Sequence, residues 1–396
     1  QNLLNTDLTL NLSQNIPWTG GSLFLETSAQ RMDLFSEHKY SWQTSPIMIG
    51  YRQSLFGYNS LKWDKRIEPV RYQEAKKSYV ETLELVSANA INKFFALATA
   101  QSNYDIASFN YANADTLYRY AQGRYNIGTI TENEMLQLEL NRLTEETNRM
   151  NARIEMDNCM QELRSYLGIQ EEREIRVRVS SRIPDFSINL NEALALAYEN
   201  SPDIQTMKRR KLESESAVAR ARANAGLKAD IYLRFGLTQT ADKLPEAYRN
   251  LLDQQYVSLS ISLPILDWGR GKGQVRVARS NRDLVYTQVE QNRTDFELNV
   301  RKLVKQFNLQ TQRVRIAART DETAQRRNEV ARKLYILGKS TILDLNASIA
   351  EKDSARRNYV SALYNYWSLY YTLRSMTLYD FERNMLLTED YNLLIE

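Results

Sequence analysis

"YNIGTITENEMLQLE" (125–139) and "YILGKSTILDLNASI" (335–349) are one pattern written twice, 210 residues apart. At that offset Tyr125 falls on Tyr335, Gly128 on Gly338, Thr131 on Thr341 and Glu134 on Asp344. The register holds well beyond these stretches: Arg66 meets Arg276, Ala152 meets Ala362, Leu163 meets Leu373, and "SLFGYN" (54–59) meets "PILDWG" (264–269). A fixed period without a gap means that one structural unit is used twice.

Glycine and proline show what the unit contains. Between Gly57 and Gly123 the only breaker is Pro69, and 128–168 and 273–338 have none between their bounding glycines. These blocks are rich in Ala, Glu, Arg, Gln and Leu, as in "NRLTEETNRMNARIEM" and "RRNEVARKLY", and read as long polar helices. A helix from Gln274 to Leu337 would be roughly 95 Å long at 1.5 Å per residue, so it must lie against equally long neighbours. Gly128 and Gly338 mark the points where adjacent helices reverse, because glycine accepts the backbone angles that end a helix.

The other segments alternate with period two. "YVSLSISLPI" sets Val257, Leu259, Ile261 and Leu263 opposite Ser258, Ser260 and Ser262, and "DIYLRFGLTQT", "DLTLNLSQNI" and "SPIMIGYRQS" behave alike. Four strands in two hairpins are predicted. Each is about ten residues long, the length of a tilted membrane strand. Trp18, Tyr40, Trp42, Tyr58, Tyr248, Tyr256 and Trp268 flank them, as expected of rings at lipid headgroups. Four strands cannot close a barrel, and open edges in lipid leave backbone groups unpaired, so several copies must pool their strands. The polar stretches "TSAQRMDLFSEHKYSWQ" and "QTADKLPEAYRNLLDQQ" are expected as the loops at the outer ends of these strands.

Composition removes most alternatives. The 52 basic and 48 acidic residues are interspersed, which leaves no basic tract for nucleic acid. One cysteine, Cys159, permits no intrachain disulfide and no multi-cysteine metal site, and one histidine, His38, removes most general-base chemistry. No run approaches the ~20 apolar residues of a membrane helix. "WGRGKGQ" lacks the ending of a phosphate loop and reads as a flexible exit from strand to helix. No catalytic residue, cofactor or metal is expected.

The paired tips, the passage "LPILDWGRGKGQVRVAR" and the helix opening "LNEALALAYENSPDIQTMK" resemble the outer-membrane efflux proteins of the TolC type. The resemblance implies a mixed α and β membrane protein, a homotrimer whose strands form a twelve-stranded outer-membrane β-barrel continued by a long periplasmic α-helical barrel. It implies a passive exit duct of a tripartite efflux or type I secretion system, not an enzyme. Its partners would be itself, a periplasmic adaptor protein, an inner-membrane transporter and outer-membrane lipid. The other reading is a non-channel periplasmic coiled-coil or adaptor protein, against which the serine-alternating strands framed by aromatics argue.

The chain then divides as 1–57 first β-hairpin, 58–167 first helical hairpin, 168–190 equatorial connector and 191–227 helix leading into the second copy. The rest is 228–267 second β-hairpin, 268–375 second helical hairpin and 376–396 C-terminal equatorial segment. Copy one lacks the helix that precedes the strands of copy two, so residues are expected ahead of Gln1. By the same resemblance Asp344 faces the pore at its periplasmic constriction, Tyr335 matches a gate tyrosine and Glu134 an acid that tethers neighbouring helices. Ser340, beside Lys339, stands where the family has a gate arginine, and Ala347 where it has a second pore acid. A ring of three Asp344 carboxylates would hold cations and raise its own pKa by crowding. Tyr125, Gly128 and Thr129 in one turn and Leu334 and Gly338 in the other are expected to meet the adaptor.

Overall fold

A computed structural model describes residues 3–35, 38–171, 174–181, 183–337 and 339–387. The chain runs β1 (Leu3–Ile16), β2 (Gly21–Leu34), β3 (Lys39–Ser54), α1 (Ser60–Asn126), α2 (Glu132–Leu167), α3 (Leu190–Asn200), α4 (Pro202–Ala225), β4 (Lys228–Ala241), β5 (Leu252–Ser262), α5 (Arg270–Ile336), α6 (Ile342–Thr377), β6 (Tyr379–Asp380) and β7 (Met385–Leu386). Helices α1 and α5 have 67 residues each, and α2 and α6 have 36 each. Both pairs start and end at positions 210 apart, so the sequence period is a structural one. The segment expected as one helix over 191–227 is two. Ser201 is extended ahead of Pro202, whose ring disfavours helical geometry in the residue before it.

Two compact units form, residues 1–75 with 203–294, and 76–202 with 295–396. In the first, one antiparallel sheet has the order β1-β2-β3-β4-β5. It contains five strands where four were expected. The addition is β2, most of which lies in the stretch expected as an outer loop. Its outer half, Thr27, Ser28, Ala29, Gln30, Arg31 and Met32, has no apolar alternation to betray it. The β4–β5 connection carries a single 3₁₀ turn at Glu246–Tyr248, held by the Thr44 hydroxyl donating to the Ala247 carbonyl.

One face of this sheet is apolar and exposed. The register aligns Leu12, Leu25, Ile49 and Phe235 in one row across four strands. The other face is polar or filled by rings: Phe24 stacks on Tyr232 at 5.7 Å, and Tyr256 meets Tyr232 edge-on. Tyr256 therefore lies opposite Arg234 on the polar face and not in a lipid-facing girdle. Trp18, in the β1–β2 turn, and Trp268, between β5 and α5, are 84% and 93% exposed at the helix end of the sheet, while Tyr40 and Trp42 flank the opposite end under Arg31. Helix α4 is tied to α1 by Arg209, which donates to Glu74, and to α5 by Lys211 with Glu290 and by Tyr286 with Glu215.

In the second unit the helices pack in the order α2, α1, α6, α5. Lys93 pairs with Glu162 and Arg149 lies over Tyr111 between α1 and α2. Asn110 donates to Asp353, and Tyr364 to Asn92, between α1 and α6. Gln310 donates to the Ala362 carbonyl, and Arg356 to Asp321, between α5 and α6. Phe307, Tyr366 and Tyr370 fill the core beneath Phe186. Cys159, part-buried, packs beside Leu97, Met156 and Leu163.

Residues 170–189 form an extended strap without helix or strand among those described. Side-chain amides hold it: Asn308 donates to the Ile188 carbonyl and accepts from its N–H, and Gln101 does the same with Ile175 and Val177. Each amide supplies what a neighbouring strand would supply.

Candidate functional site

The two helical tips are built alike. After α1 the chain turns through Gly128 at φ 75°, with the Gly128 N–H on the Tyr125 carbonyl and the Thr129 N–H on the Arg124 carbonyl at 2.9 Å. After α5 the Lys339 N–H reaches the Leu334 carbonyl at 2.9 Å, the same bond 210 residues on. Gly338, expected as the turning residue there, lies outside the described residues.

Each returning helix opens with a capping box. Thr131 accepts from the Glu134 N–H while the Glu134 carboxylate accepts from the Thr131 N–H, and Thr341 with Asp344 repeats it. Two orphan amides at each helix start are satisfied this way, and an acid in the first turn also suits the helix dipole. The acids thus stand in the first turn of α2 and α6. The motifs T-x-x-E and T-x-x-D were present in the sequence to show it. The Asp344 carboxylate also accepts from the Thr341 hydroxyl at 2.7 Å and from Ser340 at 3.3 Å. In a single copy these bonds, that of the Thr341 side chain first, hold its pKa below the usual carboxylate range, opposite in sign to the crowding expected of a ring.

Of the expected gate residues, the fold brings Tyr335 and Glu134 together. Both line a groove of about 560 Å³ between the hairpin tips, with Arg124, Thr341 and Asn346. A second groove, of about 550 Å³, shares Tyr335 with the first and includes Tyr120, Arg332 and Leu345. Lys339 is exposed and Ser340 half-buried. Arg124 and Arg332 were not singled out in the sequence, where nothing separates them from the other basic residues of these helices. Tyr125, Leu334 and Thr129 are exposed at the tips.

Elsewhere the "WGRGKGQ" passage is committed to its own carboxylate. The Gly269 and Gly271 N–H groups donate to Asp267, whose pKa they pull down, at the start of α5. Among the described residues no cluster of His, Cys, Asp and Glu is arranged to hold a metal, and no helix is long and apolar enough to cross a membrane.

The sheet has one exposed apolar face, and the helices form two long hairpins. Residues 193–377, just under half of the chain, match the model of the outer membrane efflux protein family. The fold is that of the Campylobacter jejuni CmeC outer membrane channel, with TM-score 0.70 and 15% identity over 100% of this chain and 80% of that one. The Vibrio cholerae outer membrane protein VceC matches with TM-score 0.66 and 14% identity over 95% and 87% of the two chains. The open state of the Neisseria gonorrhoeae MtrE outer membrane channel matches with TM-score 0.67 and 13% identity over 93% and 80%. No curated protein matches the sequence.

Proposed function

We propose that the chain is one third of a trimeric exit duct that takes small molecules or proteins from a periplasmic adaptor and inner-membrane transporter to the outside. The observation that carries the reading is on the two flanks of the helical unit. Helices α2 and α5 are the outer members of the α2-α1-α6-α5 row, and both carry exposed apolar residues at heptad spacing: Leu136, Leu140, Leu143, Met150 and Ile154 on α2, and Ile316, Val330 and Leu334 on α5. Run antiparallel from the tips, the three residues of α5 coincide with three of the five on α2. Leu136 falls opposite Leu334, Leu140 opposite Val330 and Ile154 opposite Ile316. Such stripes are coiled-coil seams that require a partner helix, and a ring of copies gives each α2 the α5 of its neighbour.

The tips form the constriction, with Asp344 set by its cap, Tyr335 and Glu134 in the groove behind it, and Lys339 and Ser340 beside it. The turns at Tyr125, Gly128 and Thr129 and at Leu334 meet the adaptor. Transport needs no chemistry by the protein itself, and no residue is assigned a catalytic role.

The test pairs Leu140→Cys with Val330→Cys in one chain. Oxidised membranes are expected to give a covalent trimer on a non-reducing gel, and the purified particle to conduct in planar bilayers. A non-conducting monomer without crosslinks would overturn the reading.

A further inference from the structure

The polar face of the sheet changes character along its length. Towards the helices it carries hydroxyls, among them Ser54, Ser260 and Ser262, but midway along it three rings meet. Phe24 stacks on Tyr232 with 21° between the ring planes, and Tyr256 abuts Tyr232 edge-on at 5.8 Å. Phe24 is on β2 and Tyr232 on β4, so the two rings meet across the intervening β3. Gly50 of β3 makes the room: a Cβ there would run into the Phe24 ring. A glycine inside a strand marks such a close approach, and here it lets an aromatic floor lie flat on the backbone.

Two guanidinium groups border this floor. Arg52 holds its Cζ 5.5 Å from the centre of the Tyr232 ring, and Arg234 stands between Gly50 and Tyr256 in the next row. Among the described residues neither arginine has a hydrogen-bond or ion-pair partner, and the Arg234 Nε is buried. The two rows across the sheet that hold these residues contain no acid. Glu26 and Asp230 stand in the rows on either side, unpaired with the arginines. Positive charge is therefore concentrated in the rows that also hold the rings.

This pairing selects its occupant. Ring faces are electronegative, so a bare inorganic anion gains little from the floor, and a cationic ring is repelled by both arginines. A ring bearing a carboxylate or sulfonate suits both parts. It stacks offset on Tyr232 while its anionic group accepts paired N–H donors from a guanidinium.

Resting on the exit-duct reading above, which turns the polar face towards the lumen, we propose that this patch is a cargo subsite at the membrane level of the duct, taking aromatic carboxylates or sulfonates. It shares no residue with the helical tips, and its charge is opposite in sign to that of Asp344.

The test is isothermal titration calorimetry of the detergent-solubilised full chain with naphthalenesulfonate, and block of the same protein by that probe in planar bilayers. Wild type is expected to bind it about tenfold or more tighter than methanesulfonate, which has the charge without the ring, and than naphthyltrimethylammonium, which has the ring with the opposite charge. Arg52→Gln with Arg234→Gln is expected to weaken naphthalenesulfonate by a similar factor, and Tyr232→Leu to reduce it to the level of methanesulfonate. Equal affinity for the three probes, an arginine variant that binds like wild type, or loss on Arg124→Gln with Arg332→Gln in its place would overturn the inference. The comparison of probes needs no variant, so it decides even where a substitution prevents assembly. Arginine-dependent binding by a protein that does not conduct would keep the site and overturn the duct, whereas a conducting trimer indifferent to the ring would keep the duct and overturn the site.

Discussion

Replacing Arg374 by Met tests whether the C-terminal segment is held by one buried charge cluster. Arg374, on α6, donates to Glu84 of α1 at 2.9 Å and to Asp380 of β6 at 3.2 Å, and those carboxylate side chains are 10% and 6% exposed. Asp380 keeps other donors when Arg374 is removed: the Tyr370 hydroxyl at 2.6 Å and the N–H groups of Glu382 and Arg383. Glu84 keeps nothing comparable, since one of its oxygens already has no partner. Stranding one member of a buried pair costs about 3–5 kcal/mol. Amide exchange over residues 379–387, measured on the assembled particle, should therefore accelerate between about a hundredfold and a few thousandfold. Adding Glu84→Gln should recover much of the loss, because the stranded charge is gone. Acceleration under about fivefold in Arg374→Met, or no recovery in the double variant, would refute the reasoning.

Burial pushes the hydroxyl pKa of Tyr366, Tyr370 and Tyr371 upward. A raised folded-state pKa stabilises fully below the unfolded value near pH 10 and less as pH rises past it, so thermal stability should fall above about pH 10, and Tyr366→Phe with Tyr370→Phe should flatten the fall; an unchanged curve contradicts this. Thr341→Ala removes a cap worth ~1 kcal/mol, so exchange at the start of α6 should rise about fivefold, with Thr341→Ser close to wild type. A Cβ on Gly236 would run into the Ile47 carbonyl oxygen, whereas one on Gly123 meets open space; Gly236→Ala should lower the melting temperature of the sheet and Gly123→Ala should not. Asp344→Asn should lower cation selectivity and divalent block in planar bilayers, and unchanged selectivity would leave Asp344 with only its capping role.

The helical half of the fold was legible because its signals are local and were written twice. Long runs without Gly or Pro, a common 210-residue offset and matching tips give α1 with α5 and α2 with α6 directly. What failed to show was wherever two meanings share one residue pattern. The polar outer half of β2 looks like a loop because its pairing with β1 and β3 supplies a reason for extension that the sequence does not. Tyr256 looks like a headgroup aromatic because period two gives alternation but not which face turns to lipid; the decision came from Arg234 opposite it and Tyr232 beside it. Pro202 breaks a segment whose composition is helical on both sides, a warning available from the residue alone.

Glu134 and Asp344 illustrate the same ambiguity at the candidate site. An acid three residues after a threonine at a helix start has a sufficient local explanation in the capping box, and the Asp344 carboxylate is lowered in pKa accordingly. The proposed pore role adds to that explanation rather than replacing it. The cap fixes the carboxylate's position with bonds from Thr341 and Ser340, and a ring of charges needs fixed positions. The two demands oppose each other in pKa, because the cap favours the charged form while three like charges around an axis disfavour it. A capped acid is therefore better suited to a ring than a free one: its local hydrogen bonds help keep the ring ionised against its own repulsion. Thr341→Val should separate the two roles, moving the titration of cation conductance to higher pH while Asp344 itself is retained, and an unmoved titration would break the link between cap and gate.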